Sequence, residues 1–404
     1  MANTGILKKN NIFTVLQAIK INGPMTKPEI IQTTGLTNAS VHNFVNELVE
    51  RNIIHIEGYN ASNGGRKALL YRFNASICYI AGVYLALHEI STFIFDLDLN
   101  IITSRTSSMD LNSPDVESNI NMVVSEIELA ITESGVEKSK IAGIGITVPG
   151  PVDFVNGIVL NLVNAPNWKN IPLQSIVRNR VNIPVVLDKV NTGIVLYDKW
   201  FVNSSSKKNL VHVSITDGMG SGLLINSQPY RGNNNIAGEI GHITVNPMGE
   251  ICNCGNRGCV EMFSSDSGIL RIIKDRLAKG EKSVLNEWIS DVEKISMPTV
   301  VKACLSNDSL VKEVFLSAVN YLAIALNSML KMFGPDEVLI DCYWLEEMPD
   351  MFSLLVNTLF QDNRLIDRSK FILQMYNSEF LLIKGSAMLI YDDIFSSFEK
   401  CPLI

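Results

Sequence analysis

Apolar positions near the start of the chain follow helical spacing. The segment Thr26-Lys27-Pro28-Glu29 has the form of a capping box with proline in the first turn, which predicts a second, short helix ending at Thr34. Gly35 then supplies a tight turn. The first helix is predicted from apolar residues three and four positions apart: Ile12, Val15, Leu16 and Ile19.

A third helix is predicted after Gly35, with Thr37 as its N-cap. Its apolar face would hold Val41, Phe44, Val45 and Leu48. Two short helices joined by a glycine turn predict a helix-turn-helix, in which the second helix meets bases in the major groove of DNA. A three-helix interaction module is the alternative. The predicted DNA-contacting residues are Thr37, Asn38, Ala39, Ser40, His42 and Asn43.

Two β-rich runs, residues 53–56 and 69–73, flank a glycine-containing loop over residues 58–67. This pattern predicts a hairpin that would complete a winged helix-turn-helix domain over residues 1–74. The loop ends in Arg66 and Lys67, which we expect to lie along the DNA backbone or enter a narrow minor groove. A plain surface hairpin with hydrated cations is the alternative.

The remaining pattern is that of an α/β protein. Short β-rich runs at 141–146, 184–187, 210–215 and 338–340 alternate with helical stretches. Residues 311–333 are apolar on most sides and are followed by Gly334-Pro335, which predicts a buried helix or a subunit contact.

Length and charge add a division between the two parts. The 404 residues suit two or three domains, and 47% hydrophobic with 19% charged residues is a globular composition. Residues 1–73 hold eight Lys/Arg and four Glu, a charge of +4, whereas the remainder holds 26 basic and 37 acidic residues, a charge of −11. A basic head on an acidic body favours a DNA-binding module joined to a ligand-binding module.

We find no uninterrupted apolar run of about 18 residues and no apolar signal-peptide core at the start. We therefore expect no membrane association and a cytoplasmic location.

Three of the seven cysteines lie within eight residues, close after a histidine. His242, Cys252, Cys254 and Cys259 make one imidazole and three thiolates, a set that suits a closed, tetrahedral, structural zinc site. A catalytic zinc would need an open coordination position, and three unliganded thiols in a loop are the other alternative. The other four cysteines stand in apolar surroundings, where we expect core positions: Cys78, Cys304, Cys342 and Cys401.

The residues around this cluster resemble the ROK family of sugar kinases and repressors. With the N-terminal helix-turn-helix, the chain is similar to the repressor branch, which includes bacterial xylose and N-acetylglucosamine repressors. The segments that carry the resemblance are residues 143–153, 164–168, 187–191, 217–222, 236–242, 252–261 and 384–387.

The resemblance implies an actin-like ATPase fold with two α/β lobes and a cleft between them, over residues 75–404. Lobe 1 would comprise residues of about 75–190 and a C-terminal helix at about 381–404. Lobe 2 would comprise residues of about 191–380 and carry the zinc loop.

The resemblance also implies a sugar site. The family's sugar ligands, carried over, become Asp188, Glu239, His242 and Glu261, with Gly150 and Asn164 in the adjoining segments. Carboxylates accept hydrogen bonds from several hydroxyls at once, and His242 can bind zinc through one ring nitrogen and face the sugar with the other. The Asn-Asp pair of the family has two registers here: Leu187-Asp188, or two residues later at Lys189-Val190, where the carboxylate is lost.

The family's ATP-binding segments are degenerate in this chain. After Gly82-Val83 the expected Asp, two Gly and Thr are missing, and Thr216-Asp217-Gly218 stands where Gly-Thr-Gly is usual. Bulky residues at 340–344 replace the glycine run beside the adenosine. We therefore expect no catalytic residue and no kinase activity.

The sequence thus predicts a DNA-binding regulator, most simply a repressor released or modulated by a sugar inducer, acting as a homodimer or a tetramer. Alternatives are an ATP-dependent sugar kinase with a DNA-binding appendage, and a regulator controlled by a protein partner. No basic cluster adjoins the pocket residues identified so far, so the inducer is either a sugar or a sugar phosphate.

Overall fold

The N-terminal unit has three helices followed by a two-stranded hairpin. The computed structural model describes residues 2–60, 67–202, 207–361, 365, 368, 372–375 and 381–404. The elements of this unit are α1 (Ala2–Asn22), α2 (Lys27–Thr34), α3 (Asn38–Glu50), β1 (Ile54–Tyr59) and β2 (Leu69–Phe73).

Local sequence signals determine where these helices begin and end. Thr26 and Glu29 form the predicted capping box, and Gly35 ends α2 at φ 67°, a left-handed conformation that glycine adopts at little cost. The Thr37 side chain accepts a hydrogen bond from the Ser40 backbone N–H and so caps α3. The four predicted apolar residues of α3 are its buried ones: Val41, Phe44, Val45 and Leu48.

The hairpin corrects one predicted boundary. The loop was expected from Gly58, but β1 continues to Tyr59, with Gly58 opposite Leu70 and Tyr59 opposite Leu69. A register shift between Ile56 and Gly58 allows the pairing to continue past the glycine. Of the predicted wing cations, Lys67 is exposed and Arg66 lies outside the described residues.

The next part of the chain forms a five-stranded sheet in the order β10-β6-β3-β4-β5 and a small antiparallel sheet, β7-β8-β9. We refer to it as lobe 1. In the large sheet β3, β6 and β10 are parallel, whereas β4 and β5 are antiparallel to their neighbours. The elements of lobe 1 are β3 (Tyr79–Leu85), β4 (Glu89–Asp96), β5 (Ile101–Ser108), α4 (Val116–Ser134), β6 (Ile141–Val148), β7 (Val152–Asp153), β8 (Ile158–Leu162), β9 (Ala165–Ile171), α5 (Leu173–Val181) and β10 (Val185–Lys189).

Lobe 2 is built on a second five-stranded sheet, in the order β13-β12-β11-β14-β15. Helix α6 leads into this lobe, and α14 returns the chain to lobe 1. The elements are α6 (Val190–Tyr197), β11 (Leu210–Ile215), β12 (Met219–Ile225), β13 (Gln228–Pro229), α7 (Glu261–Ser264), α8 (Asp266–Ala278), α9 (Leu285–Trp288), α10 (Met297–Leu305), α11 (Ser309–Phe333), β14 (Glu337–Cys342), α12 (Tyr343–Glu347), α13 (Pro349–Phe360), β15 (Ile372–Met375) and α14 (Leu381–Ser396).

Helix α6 connects the two lobes, since it packs on β12 of lobe 2 and on α14 against lobe 1. The crossing of α6 and α14 is close because both helices have glycine there. A Cβ atom added at Gly193 would lie 2.4 Å from the carbonyl oxygen of Gly385. A π-helical turn, Asp198–Val202, follows α6 directly.

The N-terminal unit shares a hydrophobic core with α14. Phe395 of α14 lies edge-to-face on Phe73 at 5.7 Å, and Gln17 donates a hydrogen bond to the Phe395 carbonyl oxygen. Lys20 donates to the Leu97 carbonyl oxygen and pairs with Asp98 in lobe 1. The unit is therefore fastened to lobe 1 by both apolar and charged contacts.

Helix α11 corresponds to the predicted apolar stretch. It ends at Gly334 in a left-handed conformation, and 12 of its residues are buried. Within the described part of the chain, α11 alone has the length and hydropathy of a membrane-spanning helix, although 56% of its most apolar window is buried inside the protein. The four cysteines assigned to core positions are all buried.

Candidate functional site

One imidazole and three thiols converge at the surface of lobe 2. The ligand atoms of His242, Cys252, Cys254 and Cys259 all lie within 4.8 Å of one another. The Cys254 and Cys259 sulfurs are 3.7 Å apart, and Cys252 Sγ is 3.7 Å from His242 Nδ1. Zn–S bonds of about 2.3 Å at tetrahedral angles place two sulfurs about 3.8 Å apart. The donor set therefore fits a tetrahedral metal ion.

The loop that carries the thiols is folded by its own backbone. Cys252 N–H donates to the Asn256 carbonyl oxygen, and Gly258 N–H donates to Glu250. Gly258 has φ 67°, and a Cβ atom there would lie 1.6 Å from the Asn246 carbonyl oxygen. Only glycine fits this position. Burial raises the pKa of the Cys252 and Cys259 thiols, so a cation is needed to hold them as thiolates.

Two of the predicted sugar ligands adjoin the metal cluster along the chain. Glu239 directly precedes the short 3-10 turn Ile240–His242, and the His242 N–H donates to the Glu239 carbonyl oxygen. Glu261 follows Cys259 by two residues and accepts a hydrogen bond from the Met219 N–H at 2.9 Å. The cluster thus holds the backbone on which both carboxylates stand.

The third predicted carboxylate is already paired. Asp188, whose side chain is 2% exposed, accepts hydrogen bonds from Arg231 Nε and Nη2 at 2.7 Å. The next residue, Lys189, contacts Glu239 Oε1 at 3.1 Å and donates to the Ala237 carbonyl oxygen. The sequence showed no basic cluster adjoining the predicted sugar ligands, but the structure places Lys189 beside Glu239 and Arg231 beside Asp188.

In the sequence, Lys189 stands in the alternative register of the family's Asn-Asp pair, Lys189-Val190. That pattern does not indicate that its ammonium group lies beside Glu239. Nothing in the sequence indicates Arg231, because it lies 43 positions from its partner. The Arg231 guanidinium also stacks on the Phe154 ring at 3.8 Å from its centre.

The two remaining predicted ligands lie on lobe 1. Asn164 is exposed, and its side-chain oxygen is 3.3 Å from the Asn253 amide nitrogen on the thiol-bearing loop. Gly150 packs on Leu162, where a Cβ atom would lie 2.7 Å from a methyl group. Contacts therefore link Asn164, Asp188, Glu239, His242 and Glu261 into one region, and Gly150 lies beside the strand that precedes Asn164.

The segments that the sequence comparison with the family predicts to be degenerate ATP-binding motifs carry or adjoin several carboxylates. Asp266 is only partly exposed, and burial together with the charges of Asp217 and Asp341 raises its pKa to about 7. Tyr84 lies in the first of these segments. Burial, followed by the charges of Glu89 and Asp217, raises the pKa of Tyr84 to about 12. Trp344, in the third degenerate segment, is fully buried. Carboxylates here repel a phosphate group.

The exposed face of α3 divides the predicted DNA-contacting residues into two groups. Thr37 and Ser40 bond to each other at 2.9 Å in the cap, and both ring nitrogens of His42 have protein neighbours, Lys27 at 3.0 Å and an asparagine amide at 3.2 Å. Asn38, Ala39 and Asn43 make no such side-chain contact among the described residues, and they are exposed to solvent, as are Thr37 and His42.

Comparisons with known proteins give the family and the fold. Residues 80–364 match the ROK family. The chain is 29% identical over 379 residues to a xylose repressor of Caldicellulosiruptor bescii, covering 93% of this chain and 92% of that protein. It is 25% identical over 342 residues to the DNA-binding transcriptional dual regulator NagC of Escherichia coli, covering 84% and 82%.

Solved structures of low sequence identity share the fold. A ROK family transcriptional regulator described as a homologue of the E. coli MLC protein matches with a TM-score of 0.80 at 22% identity, covering 98% of both chains. A ROK family glucokinase from Streptomyces griseus matches with a TM-score of 0.65 at 20% identity, covering 77% of this chain and 98% of its own.

Proposed function

The chain belongs to the ROK family, and its relatives include a xylose repressor that matches it over nearly the full length and a DNA-binding transcriptional dual regulator. We propose that it is a sugar-responsive transcriptional repressor without kinase activity. The observation that carries this proposal is the attachment of a three-helix and hairpin unit to lobe 1 of a ROK domain. A sugar site and a DNA-binding unit in one packed structure are the parts a ligand-controlled repressor needs.

The N-terminal unit is a winged helix-turn-helix that reads operator DNA. Helix α3 enters the major groove, with the Asn38 and Asn43 amides as base readers, since Asn forms a bidentate pair with adenine. Lys67 contacts the backbone beside the groove. A homodimer places two α3 helices one turn of DNA apart, or a multiple of that, on a pseudo-palindromic operator.

The contacts described above suggest how a sugar affects the DNA-binding unit. Asp188 and Lys189 end β10 and lead directly into α6. In the π-helical turn that follows α6, Lys199 and Trp200 both donate hydrogen bonds to Asp392 of α14. Phe395 of α14 in turn contacts Phe73 and Gln17 of the N-terminal unit, so a series of contacts leads from β10 through α6 and α14 to that unit. A sugar that binds one arrangement of α6 more tightly than another shifts the orientation of the DNA-binding unit.

The metal is a structural zinc held by His242, Cys252, Cys254 and Cys259. It supplies positive charge that keeps the thiolates ionised and fixes the loop. His242 turns Nδ1 toward the thiols, which leaves Nε2 as the nitrogen for the sugar. Zinc loss therefore displaces Glu239 and Glu261 and removes sugar binding.

Several features argue against phosphoryl transfer. Lys189 faces Glu239 in the pocket, so the sugar site holds an ammonium beside the carboxylates. The ATP side carries Asp217, Asp266 and Asp341, whose charges oppose a nucleotide. The solved structures that are named as kinases resemble this chain in fold, and a shared fold does not imply a shared activity. We place the protein in the cytoplasm, where its operator lies.

The proposal is tested by selecting a duplex from a random DNA pool and measuring its affinity for the zinc-loaded protein with and without each of a panel of sugars. We expect nanomolar binding that at least one sugar weakens. Asn38→Ala should reduce DNA affinity and leave sugar affinity unchanged, whereas Glu261→Gln should do the reverse. If operator affinity is the same with every sugar bound, the repressor mechanism is wrong.

A further inference from the structure

Two ion pairs cross between the lobes at the sugar site, in opposite directions. Asp188 of lobe 1 holds Arg231 of lobe 2, and Lys189 of lobe 1 holds Glu239 of lobe 2. The side chains of Asp188, Lys189 and Arg231 are 2%, 7% and 20% exposed. Two of the three carboxylates expected to hold sugar hydroxyls therefore already have cationic partners.

The backbone keeps the two pairs side by side. Asp188 and Lys189 are consecutive, and the Asp188 side chain also accepts a hydrogen bond from the Lys189 N–H. Across the cleft, the Ala237 N–H donates to the Arg231 carbonyl oxygen, while the Ala237 carbonyl oxygen accepts from Lys189. The two cations thus belong to one small region of the pocket.

This region has hydrogen-bond donors left over. A guanidinium has five N–H groups, and Arg231 uses two on Asp188. An ammonium has three, and Lys189 uses two, on Ala237 and Glu239. Among the described residues the further contact of these groups is the Phe154 ring, which lies against the face of the Arg231 guanidinium and takes none of its in-plane N–H donors. A guanidinium can hold a second carboxylate on its free edge without releasing the first.

A neutral sugar is poorly matched to such a site. Its hydroxyls are held best by free carboxylates, and here Asp188 and Glu239 are engaged with cations. Displacing a cation from a buried carboxylate leaves an unpaired buried charge, which costs much more than forming one neutral hydrogen bond returns. A ligand that brings its own anion keeps both ion pairs and uses the spare donors.

We propose that the ligand is a sugar acid, a uronate or aldonate, whose carboxylate binds Arg231 and Lys189. This inference rests on the proposed function and names the class of inducer. A carboxylate fits better than a phosphate, because Asp188 and Glu239 already balance the two cations, so the site offers spare N–H donors without net positive charge and tolerates a single negative charge more readily than two. A phosphate group brings about 1.5 to 2 negative charges at pH 7.

Matched ligands test the proposal by calorimetry on the unaltered, zinc-loaded protein. The probes are D-glucose, D-glucuronate, D-gluconate and glucose 6-phosphate, with the corresponding set for galactose. We expect a uronate or aldonate to bind at least about tenfold more tightly than its neutral parent, the ratio one charge-assisted hydrogen bond provides. Raised salt should reduce this ratio only modestly, because the cations are largely buried.

Two variants locate the effect. Arg231→Gln should lower affinity for the acid about tenfold or more and change affinity for the neutral parent by less than about threefold. Lys294→Gln is the matched control, since this side chain is 79% exposed and lies outside the pocket. The comparison of ligands on the unaltered protein stands even if a variant fails to fold.

The outcomes separate this inference from the proposed function. Release of operator DNA by a neutral sugar that binds as tightly as its acid overturns the inference and leaves the repressor intact. Selective binding of the 6-phosphate overturns the choice of carboxylate. If no sugar of either kind binds or affects operator affinity, both proposals are wrong.

Discussion

The Asp266→Asn substitution tests the mutual repulsion of the carboxylates Asp217, Asp266 and Asp341. Burial and the charges of Asp217 and Asp341 raise the Asp266 pKa from its ordinary 3.8 to about 7. Its Oδ1 is buried without a hydrogen-bond partner among the described residues. Asparagine has nearly the same shape and no charge, so the substitution removes the repulsion and little else.

The sign of the effect follows from the direction of the shift. Between about pH 4 and pH 7 the folded protein binds the Asp266 proton more tightly than the unfolded chain does. Stability contributed by this group therefore falls as pH rises through that window and is constant above it. Each pKa unit corresponds to about 1.4 kcal/mol, so the raised pKa lowers the free energy of unfolding by about 4 kcal/mol at pH 8 and about 2 kcal/mol at pH 5, relative to a side chain that does not ionise.

The assay is urea unfolding of the wild type and Asp266→Asn at pH 5, 6, 7 and 8. We expect the variant to be more stable at pH 8, with a gain that exceeds its gain at pH 5 by about 2–3 kcal/mol. Asp350→Asn, at an exposed carboxylate of α13, is the control and should show little pH dependence. A gain for Asp266→Asn that is the same at pH 5 and pH 8 would refute the reasoning.

Four further predictions follow from the described contacts. Cys259→Ser should lower bound zinc from one ion per chain to none and reduce the melting temperature, measured by metal analysis and calorimetry. Asn38→Ala should weaken operator binding by about 1–3 kcal/mol in a gel-shift titration, with unchanged sugar affinity. Lys20→Met removes the bonds to Leu97 and Asp98. Sugar should then change the operator affinity of the variant less than that of the wild type, while the affinity for sugar itself stays the same. Phe395→Ala should cost about 3–5 kcal/mol in unfolding free energy, because this ring fills the shared core; a cost under about 1 kcal/mol would contradict that packing.

The sequence predicted what local chemistry determines. The capping box at Thr26, the turn at Gly35 and the cap at Thr37 each depend on residues at most four positions apart, so pattern and structure agree there. The metal cluster was predictable for a similar reason, because its four ligands lie within 18 residues and glycines fold the loop between them.

The missed features are contacts between distant segments. Arg231 is 43 positions from Asp188, and Gln17 is 378 positions from Phe395. Such pairs leave no periodic pattern in the sequence, because each partner is read in its own local context. The two ion pairs on which the proposed ligand class rests could therefore be seen only in the folded chain.

The shared core of α1 and α14 has a consequence for the order in which the protein is made. The 361 residues between Ile19 and Leu381 are synthesised after the surface of α1 that will face α14 has formed. At about 5–20 residues per second this interval lasts roughly 20–70 s. Throughout it the α14-facing apolar side chains of the N-terminal unit lack the helix that buries them in the folded protein. The N-terminal unit can therefore reach its docked position only after α14 has been made, which couples its final placement to completion of the chain.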